Sequence, residues 1–151
     1  MITADKLTNI TQTALKNQAL LQSLNSRPAS QAEIRQVLRE VIGQTIDPSV
    51  EIRLPLCSDY GANLKLGKEI FINSGVMFTD LLGIEIEDHV LIGPNVTLVS
   101  VEHPLEPKER RGVCLKPVLI KQNAWLGANC HDLIRSDGRP KCCCCCWCSR
   151  D

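Results

Sequence analysis

The chain has 151 residues, enough for one domain with a core of its own and too few for two of ordinary size. Its 17 basic and 17 acidic residues balance, so it lacks the charge footprint of a nucleic-acid or anionic-membrane partner. Aromatic residues are only 3%, which disfavours base-stacking platforms and leaves the core to Ile, Val and Leu.

The opening MITADKLTNI has no apolar leader core, and no apolar run approaches the roughly 18 residues of a membrane span. The expected compartment is therefore the cytoplasm. Residues 3–24 read as a helix, with Leu7, Ile10, Ala14, Leu21 and Leu24 on one stripe. Arg27, Pro28 and Ala29 interrupt it. Ser30 and Glu33 then form a capping box for a second helix, whose stripe is Ile34, Val37, Leu38, Val41 and Ile42 and whose end is Gly43. Both helices are expected to cover the open end of the strand-forming region downstream or a neighbouring subunit, because a bare sheet edge invites association.

The segment VEIRLPL is strand-like, but Pro55 suits a first coil better than a central ladder. From there the dominant pattern is sixfold. In IEIEDHVLIGPNVTLVSVEH, Ile86, Ile92 and Leu98 recur every six residues, with Val90 and Val96 four places after the first two. Upstream the same spacing runs through Leu66, Ile72, Phe78 and Ile84, with Ile70, Val76 and Leu82 in the +4 places. Downstream it resumes at Ile120 and Leu126. A helix turning about 100° per residue would scatter such a period, whereas strands that turn regularly stack it into a parallel β-helix. Residues 100–117 break the period with three prolines, one glycine and seven charged residues, and an excursion of that kind is where function is usually mounted.

After Asn129 the pattern gives way to a tail in which six of the nine cysteines fall in one block, Cys142 to Cys146 and Cys148, with Cys57, Cys114 and Cys130 elsewhere. Contiguous cysteines suit neither a disulfide framework nor one metal ion, which wants spaced ligands, so no metal is expected. A one-base shift of reading frame near codon 130 explains more. Dropping the first base of each codon turns the cysteines into Val or Ala and puts apolar residues at the places of Asp132, Gly138 and Cys144, in phase with Ile120 and Leu126. The expected organisation is a helical segment over 1–50, a β-helix over 51–129 with a loop insertion at 100–117, and an irregular tail over 130–151.

Two histidines outside the tail could do chemistry. His89 sits mid-ladder and is expected to face solvent, whereas His103 opens the polar excursion, where an imidazole titrating near neutrality can take a proton from a hydroxyl.

The stretches CSDYG, FIN, IGPNVTL, EHPLEPKERR and KPVLIKQNAWLGAN resemble, in order and spacing, the hexapeptide-repeat sugar O-acetyltransferases of the maltose and galactoside type, from about Ser30 to Ala128. The resemblance implies a mainly β, left-handed parallel β-helix, a homotrimer, and acetyl-CoA and a sugar hydroxyl meeting in a cleft between subunits. It makes His103 the general base, and it sets Asp59 and Asn73 at the acceptor site and Ala128 at the thioester and pantetheine arm, with Trp125 nearby. Asp80 lies one residue from a further acidic position of the family. The later coils of the family and its coenzyme A-contacting Thr-Lys element have no counterpart in the tail, so the alternative is a β-helix remnant that does not hold the cofactor. A thiol-rich metal protein is a more distant third reading.

Overall fold

The structure is a computed structural model that describes residues 4–133 and 141–142. Helix α1 spans Ala4–Asn25 and α2 spans Gln31–Ile42. The expected box is present at α2: the Ser30 hydroxyl accepts from the backbone of Glu33, whose carboxylate accepts from the Ser30 N–H, and Gly43 closes the helix in the left-handed conformation.

Among the described residues, four coils come after the helices. The first carries β1 (Glu51–Ile52), β2 (Leu56–Ser58) and β3 (Leu64–Leu66), and the second β4 (Phe71–Ile72), β5 (Val76–Thr79) and β6 (Ile84–Ile86). The third carries β7 (Leu91–Ile92) and β8 (Thr97–Val99), leaves the stack as a hairpin of β9 (Val101–Glu102) and β10 (Cys114–Leu115), and returns as β11 (Val118–Ile120). The last holds β12 (Trp125–Leu126) and β13 (His131–Leu133), with β14 (Lys141–Cys142) turned back antiparallel on β13. Parallel pairing makes three faces: β1-β4-β7-β12 is the first, β2-β5-β8-β13 the second and β3-β6-β11 the third.

The register corrects the sixfold count. Phe71 pairs with Glu51 on one side and Leu91 on the other, so a coil takes 20 residues, two more than three hexads. The two extra residues sit at the second corner, between the second and third faces. As a result Ile84 and Ile86 both point inward, while Leu82, expected in an inward +4 place, is 39% exposed. From Leu91 to Trp125 the offset is 34 residues, and the additional length is the excursion, inserted at that same corner.

Left-handed backbone recurs with the coil. Glu69, His89 and Asn123 share one register at the third corner, and Gly75, Asn95 and Asn129 share another at the first, all with φ between 53° and 78°. Gly75 is further constrained because a Cβ there would run into the side-chain oxygen of Asn95.

Inside, Ile52, Ile72 and Ile92 stack along the first face, Leu56, Val76 and Val96 along the second, and Leu64, Ile84 and Val118 along the third, all buried. Burying each such side chain contributes about 1.5–3 kcal/mol. Helix α1 packs on β2 and α2 on β1, so the helices do cover the first coil. They also complete its hydrogen bonding. The Asn25 amide donates to Leu56 O at 2.9 Å and accepts from Leu56 N at 3.0 Å, and Gln31 does the same for Ile52 at 2.7 and 3.0 Å. Each side chain stands in for the neighbouring strand that an edge lacks. Pairing on the second face continues to His131–Leu133, past residue 129, and Asp132 takes the register of Leu98 and Phe78. The remaining tail, 134–140 and 143–151, and with it most of the predicted frame-shifted segment, lies outside the described residues.

Candidate active site

The second corner is built around a buried carboxyl. The β5 alternation turns Phe78 and Asp80 inward, and Asp80 is fully buried. Its Oδ1 accepts from the Ser58 hydroxyl and the Gly61 N–H, both at 2.7 Å, and its Oδ2 accepts from the Asn63 N–H at 2.9 Å. One coil on, Ser100 is likewise buried, donating to Thr79 O at 2.7 Å and accepting from Leu82 N at 3.1 Å. These groups pin the extra residues of the corner. Asp59 joins them, its Oδ1 accepting from the Asp80 N–H at 2.9 Å. Burial pushes the Asp59 carboxyl up to about 6; the Asp80 N–H opposes the shift, and the Asp80 charge adds to it. Asp59 thus serves as part of the turn before Tyr60-Gly61, with one oxygen committed to it.

His103 stands exposed just beyond β9, where the excursion leaves this corner. Its Nδ1 lies 2.9 Å from the carbonyl oxygen of Gly112. The excursion is closed by the pairing of Val101 with Leu115 and Glu102 with Cys114, by Gly112 N donating to Glu109 O at 2.7 Å, and by Arg110 donating to Leu105 O at 2.9 Å.

Asn73 and Ala128 belong to the first corner instead. Asn73 follows β4, and its side-chain oxygen accepts from Ser74 N at 2.8 Å. Ala128 follows β12 and is exposed; a Cβ added to Gly93 on the coil before would come within 2.8 Å of the Ala128 nitrogen, so only glycine lets the two turns stack. Trp125 projects from the first face, 54% exposed, beside Leu91 at 49%. His89, at the third corner, is exposed as expected and pairs with Glu69 at 3.0 Å.

The candidates therefore fall into two groups. Asp59 and His103 share the second corner; Asn73 and Ala128 share the first. Both corners border the second face, whose outward row runs Cys57, Met77, Thr97 and His131 and holds no Lys, Arg, Asp or Glu, unlike the third face with its Lys65–Glu85 pair at 3.8 Å. A groove of about 800 Å³ crosses the third face past Ile10, Tyr60, Leu82 and Leu119, and it contains none of the five candidates. The Asp80 and Ser100 pins were not legible as such in the sequence. The available signal was a polar residue two places after each inward Phe78 and Leu98. Among the described residues no cluster of side chains suits a metal ion.

No protein-family profile matches the chain. A putative acetyltransferase of Staphylococcus haemolyticus is 42% identical over 106 residues, 69% of this chain and 55% of that protein. The galactoside O-acetyltransferase of Escherichia coli is 27% identical over 127 residues, 83% of this chain and 63% of that one. Among solved structures, a hexapeptide-repeat acetyltransferase of Vibrio cholerae superposes with a TM-score of 0.74 at 28% identity, over 80% of this chain and 69% of that one. That bacterium's protein has also been solved with acetyl coenzyme A, and in that form it matches with a TM-score of 0.60 at 25% identity. The chain spans about half the length of the curated relatives it matches. In sequence across its coils, and in the left-handed parallel β-helix they build, the chain is a relative of the hexapeptide-repeat acetyltransferases.

Proposed function

We propose that this chain moves an acetyl group from acetyl-CoA to a hydroxyl of a sugar or similar small acceptor, with His103 as general base. The observation that carries the reading is the exposed imidazole of His103, held against Gly112 O at the mouth of the excursion. His103 takes the proton of the acceptor hydroxyl as its oxygen attacks the thioester carbonyl. The imidazolium returns that proton to the departing sulfur, which leaves an acetyl ester and the free thiol of coenzyme A. No covalent enzyme intermediate is needed, and the sequence has no G-x-S-x-G nucleophile motif. Asn73, with its oxygen turned to Ser74, keeps two N–H donors for sugar hydroxyls, and Asp59 offers a carboxyl oxygen from the other corner. Ala128 and Trp125 border the pantetheine arm.

The active assembly is a homotrimer. The two groups of candidates lie on different corners of one chain, but three copies turning their second faces to a common axis would bring the first corner of each beside the second corner of the next. The row of Cys57, Met77, Thr97 and His131, which holds no Lys, Arg, Asp or Glu, suits that burial.

The test is acetyl transfer from acetyl-CoA to maltose and to a galactoside, followed by thiol release. His103→Ala is expected to lower kcat by about 10²–10⁴-fold. A wild-type chain that binds sugar but releases no thiol would favour the remnant reading. Full activity in His103→Ala would dismiss the base.

A further inference from the structure

We propose that the backbone carbonyl of Gly112 is a positioning group that holds His103 in the tautomer with Nδ1 protonated and Nε2 bare. The proposal rests on the reading of His103 as the base. A peptide carbonyl oxygen only accepts hydrogen bonds, so the 2.9 Å contact places the proton on Nδ1. A neutral imidazole has one ring proton, and Nε2 is left with the lone pair that a hydroxyl proton needs. A histidine side chain in water favours the opposite form, with its proton on Nε2, so the fold must impose this one.

The excursion is built to do so. Its two strands pair in register, Val101 with Leu115 and Glu102 with Cys114, which carries the return limb past His103. Gly112 is held in turn by its own N–H to Glu109 O at 2.7 Å. A Cβ at Gly112 would come within 3.1 Å of Glu109 O and 3.7 Å of the Pro104 ring, so the limbs close around this residue with little room for a larger one. The 18-residue stretch from Ser100 to Pro117 thus folds back to supply a partner for its own histidine, a peptide oxygen where many catalytic histidines use a carboxylate.

The tautomer is read directly by long-range ¹H–¹⁵N correlation on the full chain labelled at histidine, above the pH at which His103 is protonated, with His103→Ala to assign the signals. The expected pattern is protonated Nδ1 and bare Nε2. The Nε2–H pattern, or a rapidly averaged mixture of the two, would overturn the proposal. A second measurement weakens the carbonyl without touching a side chain: Val113 is replaced by its α-hydroxy acid, which converts the 112–113 peptide into an ester, a poorer acceptor. Val113 is half exposed, so the exchange perturbs little packing. The tautomer is expected to shift toward Nε2–H and kcat to fall about tenfold at unchanged KM. An unchanged tautomer in the ester refutes the role of Gly112. The outcomes separate the two readings. Full activity in His103→Ala with the Nδ1–H pattern would sink the base and keep the lock, whereas an inactive His103→Ala with a mixed pattern would do the reverse.

Discussion

Asp59 shows how one carboxyl can serve a turn and tune the fold to pH. Its proton is held more tightly in the native chain, where it leaves at about pH 6, than in an unfolded one, where the ordinary value is 3.8. A raised folded value means that its contribution to stability is fully present below about pH 4 and is lost as pH rises through 6. Asp59→Asn should therefore flatten the melting temperature between pH 4 and 6, where the wild type loses stability; parallel curves for the two proteins would contradict this. Asp80 has a different task. Asp80→Ala would strand the Ser58 hydroxyl and the N–H groups of Gly61 and Asn63, at a cost of about 3 kcal/mol or more in urea unfolding. Counting hexads from Leu66 puts Ile84 in phase and leaves Asp80 between steps, so its inward position is set only by the two-residue slip. The Gly112 oxygen is equally silent in the sequence, since it lies nine residues from His103 within a stretch that has no period.

At the scale of elements, local pattern carried far. The capping box at Ser30, the stop at Gly43 and the aliphatic sixes are all written in neighbouring residues; the structure repeats the first two and keeps the sixes except at the second corner, where two residues are added. The amide bridges of Asn25 and Gln31 reach across 31 and 21 residues to Leu56 and Ile52, and no periodicity announces them. Gln31→Ala and Asn25→Ala are each expected to cost about 1–3 kcal/mol and to speed hydrogen exchange at the Ile52 and Leu56 amides; exchange unchanged at those amides would refute the bridging role. At the other end, Asp132 takes a register that Phe78 and Leu98 fill in the coils before it.

For the whole molecule the decisive quantity is how copies associate. A charge buried on the proposed threefold face has no partner, so Met77→Glu should reduce the assembly to monomers in sedimentation while leaving the far-ultraviolet spectrum intact. A charge reversal on the third face, Glu85→Lys, should leave the assembly whole. A trimer that survives Met77→Glu would move the contact to another face and with it the pairing of His103 and Asn73.

In the first three coils the slack is kept at one place. Tyr60 to Asn63 and Asp80 to Gly83 hold short turns there, and the third coil opens the same joint to admit its long hairpin, after which Val118 rejoins Gly83 O at 3.0 Å as if nothing had intervened. Such a joint acts as a splice point in the architecture. Foreign sequence introduced between Leu82 and Gly83 would lengthen the protein without shifting the stack, and a solenoid with one such port can acquire new surface chemistry while its skeleton stays as it is.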